Sequence, residues 1–411
     1  MQLVLALLGI VVLPPSTTSH SIPSLRSESS GQCDFTPLHP RRYAAYHLPT
    51  DSHSRISIDG VLDENVWTDV PWSQAFVDIR GPTFWSQPWF VTKCKLRYDQ
   101  TFLYIGAYLE ETTVWANLSH RNDVIFHDND FEVFVDPDGT THNYKEFELN
   151  ARNATWNLWL NRPYRDGGHE NSTRVDPEHG FDMVRHGMRS AVFVKGQVND
   201  PSEQLHYWTA EIALPLSQLA YHSTAVVPPR PLSFWRINFS RVEWPVRVVV
   251  DRDTGRQRYE KPSGRHEENW VWSSQFAVNM HRPEWWGYLH FRPQGEPIAR
   301  PSTVPLDPEW SVRFLSFQYY YAQHAFHEAT GTYASRLERL EPYFVHRDAY
   351  PCIQLLEHQA GPTAFHAKIT AQDATSAYVA SIRDDGYIVV RKASTEERKP
   401  KSGNVDRDTD F

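Results

Sequence analysis

The chain predicts a mainly β protein, an antiparallel β-sandwich followed by a small α+β module. Three observations predict it. Strand-like runs separated by short turn signals recur from residue 55 to residue 291, with few segments of helical length between them. Aromatic residues, which favour strands, are abundant, with 15 Trp, 19 Tyr and 21 Phe. A stretch containing five prolines, 292–308, then separates this region from one with helical spacing. A chain of 411 residues suits two domains.

The elements follow in order. Residues 3–13 form an almost unbroken apolar run ended by Pro14 and Pro15. It has the length of a signal-peptide core and is too short to span a bilayer. Residues 1–20 are therefore expected to be an export signal and the protein to be secreted, although no Lys or Arg precedes the run. No other stretch has the length and apolarity of a membrane span. Residues 21–54 are rich in Ser, Pro and His without periodicity, and are expected to be irregular.

Residues 55–293 carry the sandwich. Leu96-Arg97-Tyr98 leads to a turn at Asp99-Gln100, and 102–108 is the next strand-like run. Residues 131–135 alternate apolar and polar and end at the tight turn Asp136-Pro137-Asp138-Gly139, so 144–150 reads as the return strand of a hairpin. Further strands are expected at 191–198, 207–213, 234–242 and 288–291. Residues 294–308 are the expected linker and 309–394 the α+β module. Helical spacing of Phe314, Phe317, Tyr321 and Ala325, then of Leu337 and Leu340, is broken by Glu328-Ala329-Thr330-Gly331, so two helical pieces are predicted. Strands are expected at 353–358, 365–370 and 377–382, and at 387–391 after the turn Asp384-Asp385-Gly386. The charged residues 395–411 are expected to be a disordered tail.

The formal net charge of −9 argues against a nucleic-acid partner, which would favour a basic field. Four N-glycosylation sequons begin at Asn117, Asn153, Asn171 and Asn238 and fit a secreted glycoprotein. The three cysteines, Cys33, Cys94 and Cys352, show no metal-type spacing. Their odd count leaves at least one thiol unpaired within the chain; Cys33 with Cys94 is one arrangement and three free thiols the other.

Two sets of acids stand out. Glu132 lies between Phe131 and Val133 and so points to the opposite face of its strand. A carboxylate projecting from a sandwich face can accept two hydrogen bonds from vicinal hydroxyls; its plainer reading is a solvated strand residue. Asp128, Asp130, Asp136 and Asp138 crowd the two ends of the same strand. Oxygen-rich loops of this kind suit calcium, and they also simply form turns; no EF-hand register is present.

Several separated motifs resemble the family 9 carbohydrate-binding modules. They are Ile58-Asp59-Gly60-Val61-Leu62-Asp63-Glu64-Asn65-Val66-Trp67, then Leu96-Arg97-Tyr98-Asp99 with Phe102-Leu103-Tyr104-Ile105, then Asp128-Asn129-Asp130-Phe131-Glu132-Val133-Phe134-Val135-Asp136. The end of the region is similar too, from Trp235-Arg236-Ile237-Asn238-Phe239 to the run 281–291. Pro163-Tyr164-Arg165-Asp166-Gly167-Gly168 and the stretch from Val198-Asn199-Asp200-Pro201 into 208–215 resemble one subgroup. The resemblance implies a CBM9/DOMON-like sandwich over 56–291, structural calcium, and a glycan or polysaccharide ligand held between two Trp rings with polar strand residues beneath. By position the ring sites fall at Phe126 and Met280, and the polar sites at Glu132, Glu148, Asn150 and Asn238. The clamp therefore departs from the family pattern, because Met is a poor stacking platform. Asn238 cannot easily be both glycosylated and ligand-facing, so its sequon is expected to be unused. Residues 317–323 and 332–340 faintly resemble the helix-to-sheet passage of type IV pilin-like proteins, which implies an interaction module with a protein partner.

Binding is expected rather than catalysis. A hydrolase of carbohydrate catabolism would need two carboxylates roughly 5 to 9.5 Å apart. Glu132 and Glu148 sit on strands that can pair, but no nucleophile, His-Glu-x-x-His or phosphate-loop motif accompanies them. A third reading is a haem-binding electron-transfer sandwich with Met280 as a ligand, as in distant relatives of this fold.

Overall fold

The 21–54 segment, expected to be irregular, contains the strand that joins the two halves of the main sheet. In the computed structural model, which describes residues 33–49, 55–203, 206–298, 304–372, 377–395 and 397, β1 is Arg42–His47. It pairs in parallel with β15 (Gly287–Arg292) on one side and β3 (Thr92–Tyr98) on the other. Tyr43 and Ala45 enter the main core, while Ala44 and Tyr46 enter a second apolar cluster on the opposite face. A strand covered on both faces shows no apolar–polar alternation, which is why its sequence does not announce it. The expected export signal, the middle of the proline-rich stretch and nearly all of the expected tail lie outside the described residues.

Between these lie β2 (Val77–Asp78), β4 (Phe102–Glu110), β5 (Asp130–Asp136), β6 (Tyr144–Asn150), β7 (Thr155–Leu160), β8 (Glu170–Asn171), β9 (Arg189–Val194), β10 (Tyr207–Pro215), β11 (Phe234–Glu243), β12 (Arg247–Val250), β13 (Gln257–Glu260) and β14 (Glu268–Val271). Among the described residues the main sheet runs β8-β7-β6-β5-β11-β15-β1-β3-β4-β10-β9, with β14 also on β11 and β2 on β14. Strands were expected to pair antiparallel throughout; the central position of β1 makes the sheet mixed. It curls so that Leu96, Leu103, Ile105, Trp208 and Ile212 from one half pack against Phe131, Val133, Phe147, Ile237 and Phe239 from the other. β12 and β13 form a separate hairpin. The expected strand at 191–198 is shifted to Arg189–Val194, and β7 was not foreseen.

The opening motif owes its shape to a distant acid. Glu211 on β10 accepts the Asp59 and Gly60 N–H groups at 3.0 and 2.9 Å and the Trp67 indole N–H at 2.8 Å. Gly60 has φ +90°, and a Cβ there would meet the backbone of Val192 and Phe193 at 2.5 to 3.0 Å, so only glycine fits.

The α+β module is one long helix, Trp310–Thr330, over the four-stranded antiparallel sheet β16 (Ile353–Ala360), β17 (Phe365–Ala371), β18 (Tyr378–Arg383) and β19 (Ile388–Lys392). Gly331 ends the helix in the left-handed conformation, and a 3-10 segment, Leu337–Tyr343, follows as the second piece. The likeness to pilin-like proteins finds no support. Cys33 pairs with Cys352, 319 residues away, rather than with Cys94. Cys94 is free and fully buried on β3 beside Ser73. Phe35, ahead of β1, and Trp285, ahead of β15, both pack into the core of the α+β module. No helix among the described residues is long and apolar enough to cross a membrane.

Candidate functional site on an acidic sheet face

Strand alternation divides β5 and β6 into two faces. Phe131, Val133, Val135, Phe147 and Leu149 point into the core. Asp130 and Glu132 on β5, with Glu146 and Glu148 on β6, point the other way. Glu132 stands opposite Glu148 on β6 and opposite Ser240 on β11, and Phe134 stands opposite Glu146. Four carboxylates thus share one patch, and all four are buried.

Each has a buried oxygen that meets no hydrogen-bond partner: Asp130 Oδ2, Glu132 Oε2, Glu146 Oε2 and Glu148 Oε2. Asp130 does accept the Val242 N–H at 3.0 Å. Among the described residues no Lys or Arg forms an ion pair with any of the four; the nearby Arg174 is held by Glu170. Burial pushes the Glu132 carboxyl up to about 7, with the Ser240 hydroxyl partly offsetting it. Burial also raises Asp130, Glu146 and Glu148 well above the carboxylate range, and the charge of Glu132 adds to each shift. One oxygen each from Asp130, Glu132 and Glu148 lies within 4.8 Å of the others.

An apolar cluster of Ile125, Phe134, Tyr144, Trp156, Leu158, Leu160 and Trp286 shares this side of the sheet, with half-buried Met280 against it. The Trp156 indole donates to Glu170 at 3.2 Å, and the Arg174 guanidinium lies 5.0 Å over the Trp156 ring. Tyr164, 44% exposed, leads the 163–168 loop and packs edge-on against His281, 4.6 Å between ring centroids. Burial, followed by the charges of Glu146, Glu170 and Glu148, raises its phenol, so Tyr164 stands within their field.

The α+β module braces that loop. Arg165 forms a two-pronged pair with Glu284 at 2.7 and 3.0 Å, and Arg282 approaches the same carboxylate at 3.3 Å. From the long helix, the Tyr321 hydroxyl donates to Glu284 and the Tyr320 hydroxyl to Asp166. Gly168 could not be another residue, because a Cβ there would sit 1.8 Å from the Arg162 carbonyl oxygen.

The residues expected from sequence fare differently. Glu132 and Glu148 come together at the centre of the patch. Phe126 is 38% exposed in the turn before β5, and Met280 is on the same side of the sheet as the acids. Asn150 and Asn238 are already occupied. The Asn150 amide donates to Leu118 O and Asp128, and its oxygen accepts from Arg152 and Ala154 N–H. Asn238 exchanges both amide groups with the Ser273 backbone.

The four aspartates do not form one metal site. Asp128 and Asp130 are separated from Asp136 and Asp138 by the length of β5, roughly 20 Å for seven residues. Asp128 accepts from the Asn117 and Leu118 N–H groups; Asp136 accepts from Gly139 and Thr141. Asp138 accepts from Thr140, Ser223 and Thr224. These three shape turns, and Asp130 instead joins Glu132 and Glu148. Glu146 was missed, although its parity with Glu148 on β6 gave the signal. The Arg165–Glu284 seam was also missed, since nothing local links residues 119 positions apart.

No protein-family model and no curated protein matches the chain. Among solved structures it is similar to a candidate carbohydrate-binding protein of Bacteroides uniformis, at 14% identity over 62% of this chain and 100% of the other, with TM-score 0.43. It is also similar to a family 9 carbohydrate-binding module of Caldicellulosiruptor kristjanssonii in complex with glucose, at 15% identity, 63% and 100% coverage, and TM-score 0.38. The complex of a module of that family and organism with cellotriose gives 14%, 65%, 100% and 0.37.

Proposed function

We propose that this chain is a secreted, non-catalytic glycan-binding protein that takes its ligand on the acidic face of β5 and β6. The observation that carries this reading is the set of buried carboxylate oxygens without donors on that face. Hydroxyl-rich ligands supply the missing donors, and carboxylates accept strongly from them. The rings of Phe126 and Tyr164, both exposed, offer apolar faces at the rim. Met280 stands where the family pattern has a second ring, so binding is expected to be weaker than with an intact clamp.

The reading as a binder rests on the absence from the sequence of any nucleophile, His-Glu-x-x-His or phosphate-loop motif beside Glu132 and Glu148. In this reading the α+β module serves as the brace of the 163–168 loop. Asn117 and Asn153 are exposed and suit glycosylation in an export pathway, whereas Asn238 is fully buried. A glycan array probed with the full chain tests the proposal. Retention of at least one glycan class is expected, and a blank array with folded protein would refute it.

A further inference from the structure

We infer that the acidic face holds a divalent cation of the calcium type, with Asp130, Glu132 and Glu148 as its protein ligands. The geometry is that of a cation ligand set. Three carboxylate oxygens from two neighbouring strands lie within 4.8 Å of one another. A point between three oxygens no more than 4.8 Å apart lies within about 2.8 Å of each, near the roughly 2.3 to 2.6 Å of calcium bonds. In each of the three residues one buried oxygen has no hydrogen-bond partner.

Among the described residues no Lys or Arg forms an ion pair with these acids, and the fourth acid, Glu146, lies beside Glu148 on the same face of β6. A buried charge without a partner is costly, so such clusters hold a counter-ion or a proton. All-oxygen ligands select a hard cation over zinc or copper. Three protein ligands leave three to five of the roughly six to eight calcium positions unfilled. Those positions suit vicinal hydroxyls of a sugar, an extension that rests on the glycan-binding reading; the cation site itself does not.

The test uses the full chain after passage over a chelating resin. Calorimetric titration with CaCl2 should report a site lost, or weakened at least tenfold, in Glu132→Gln and Glu148→Gln. Asp251→Asn, in the turn between β12 and β13, should leave it unchanged. TbCl3 should give sensitised emission, because Trp156 stands opposite Glu148 in the strand register. Thermal melts guard against misfolding. Glu148→Gln should melt in EDTA no lower than the wild type, and calcium should raise only the wild type. Absent calcium heat and absent terbium emission in the wild type would overturn the inference. So would binding retained by both Glu→Gln variants, or magnesium binding as tightly as calcium. Glycan titration with and without EDTA separates the two readings. Calcium binding without glycan binding sinks the function and keeps the site; glycan binding in a protein that takes up no calcium does the reverse.

Discussion

Glu132 and Glu284 are about equally hidden, at 3% and 4% exposure, and their carboxyls move in opposite directions. At the seam between sandwich and α+β module, burial pushes Glu284 up, but Arg165 and then Arg282 outweigh it and hold it at about 2. On the sheet face nothing outweighs burial, and Glu132 rises to about 7. The difference is one of partners, not of depth. Cations complete the seam within the chain, whereas among the described residues none of the four acids of the face forms an ion pair, the nearby Arg174 being held by Glu170. A region completed internally reads as architecture; one left incomplete reads as a place for something from outside.

The largest effect should come from breaking the seam. Glu284→Ala leaves the Arg165 and Arg282 guanidinium groups buried without their carboxylate, which costs about 3–5 kcal/mol. Urea unfolding of the full chain measures it, and a loss under about 1 kcal/mol would break the contrast. On the face the sign reverses. Glu148→Gln relieves like-charge repulsion, so at pH 8 in EDTA it should stabilise by about 1 kcal/mol. A clear loss instead would mean that the face is not strained.

Proton linkage sharpens the same contrast. Glu132 rises in the folded state from an ordinary 4.5 to about 7. Its contribution is complete below about 4.5 and is lost as pH rises through about 7. Glu284 falls from 4.5 to about 2, so its contribution is complete above about 4.5 and is lost as pH falls through about 2. In EDTA, the melting temperature of wild type relative to Glu132→Gln should therefore drop between pH 5 and 8. Relative to Glu284→Gln it should drop between pH 5 and 2. Parallel curves for the two variants would contradict the opposite shifts. The smallest effects belong to the rim. Phe126→Ala should weaken glycan binding, and Met280→Trp should strengthen it, each by about 1 kcal/mol in calorimetry.

Much of this arrangement was legible where the chemistry is local. Phe131, Val133 and Val135 alternate with Glu132 and Phe134, so the strand and the orientation of Glu132 follow from spacing alone. Gly331 marks the end of the long helix. What escaped depends on partners distant in sequence. β1 is covered on both faces and has no period to read. Asn150 and Asn238 have the right chemistry for a ligand but are occupied by Leu118, Asp128 and Ser273. Asp128, Asp136 and Asp138 look like metal ligands until the turns they hold are seen, and Cys33 finds a partner 319 residues away.

The central claim is that the unpartnered acids of the face receive a hydroxyl-rich ligand. Isothermal titration of a glycan retained on the array, into wild type and Glu132→Gln at equal calcium, tests it most directly. The substitution keeps the shape of the side chain and removes its charge, and a hydrogen bond to a charged group is worth about 1.5–3 kcal/mol. Binding should weaken by about tenfold or more, with the melting temperature in EDTA not reduced. Equal affinity in the two proteins would contradict the account and move the glycan site away from β5 and β6.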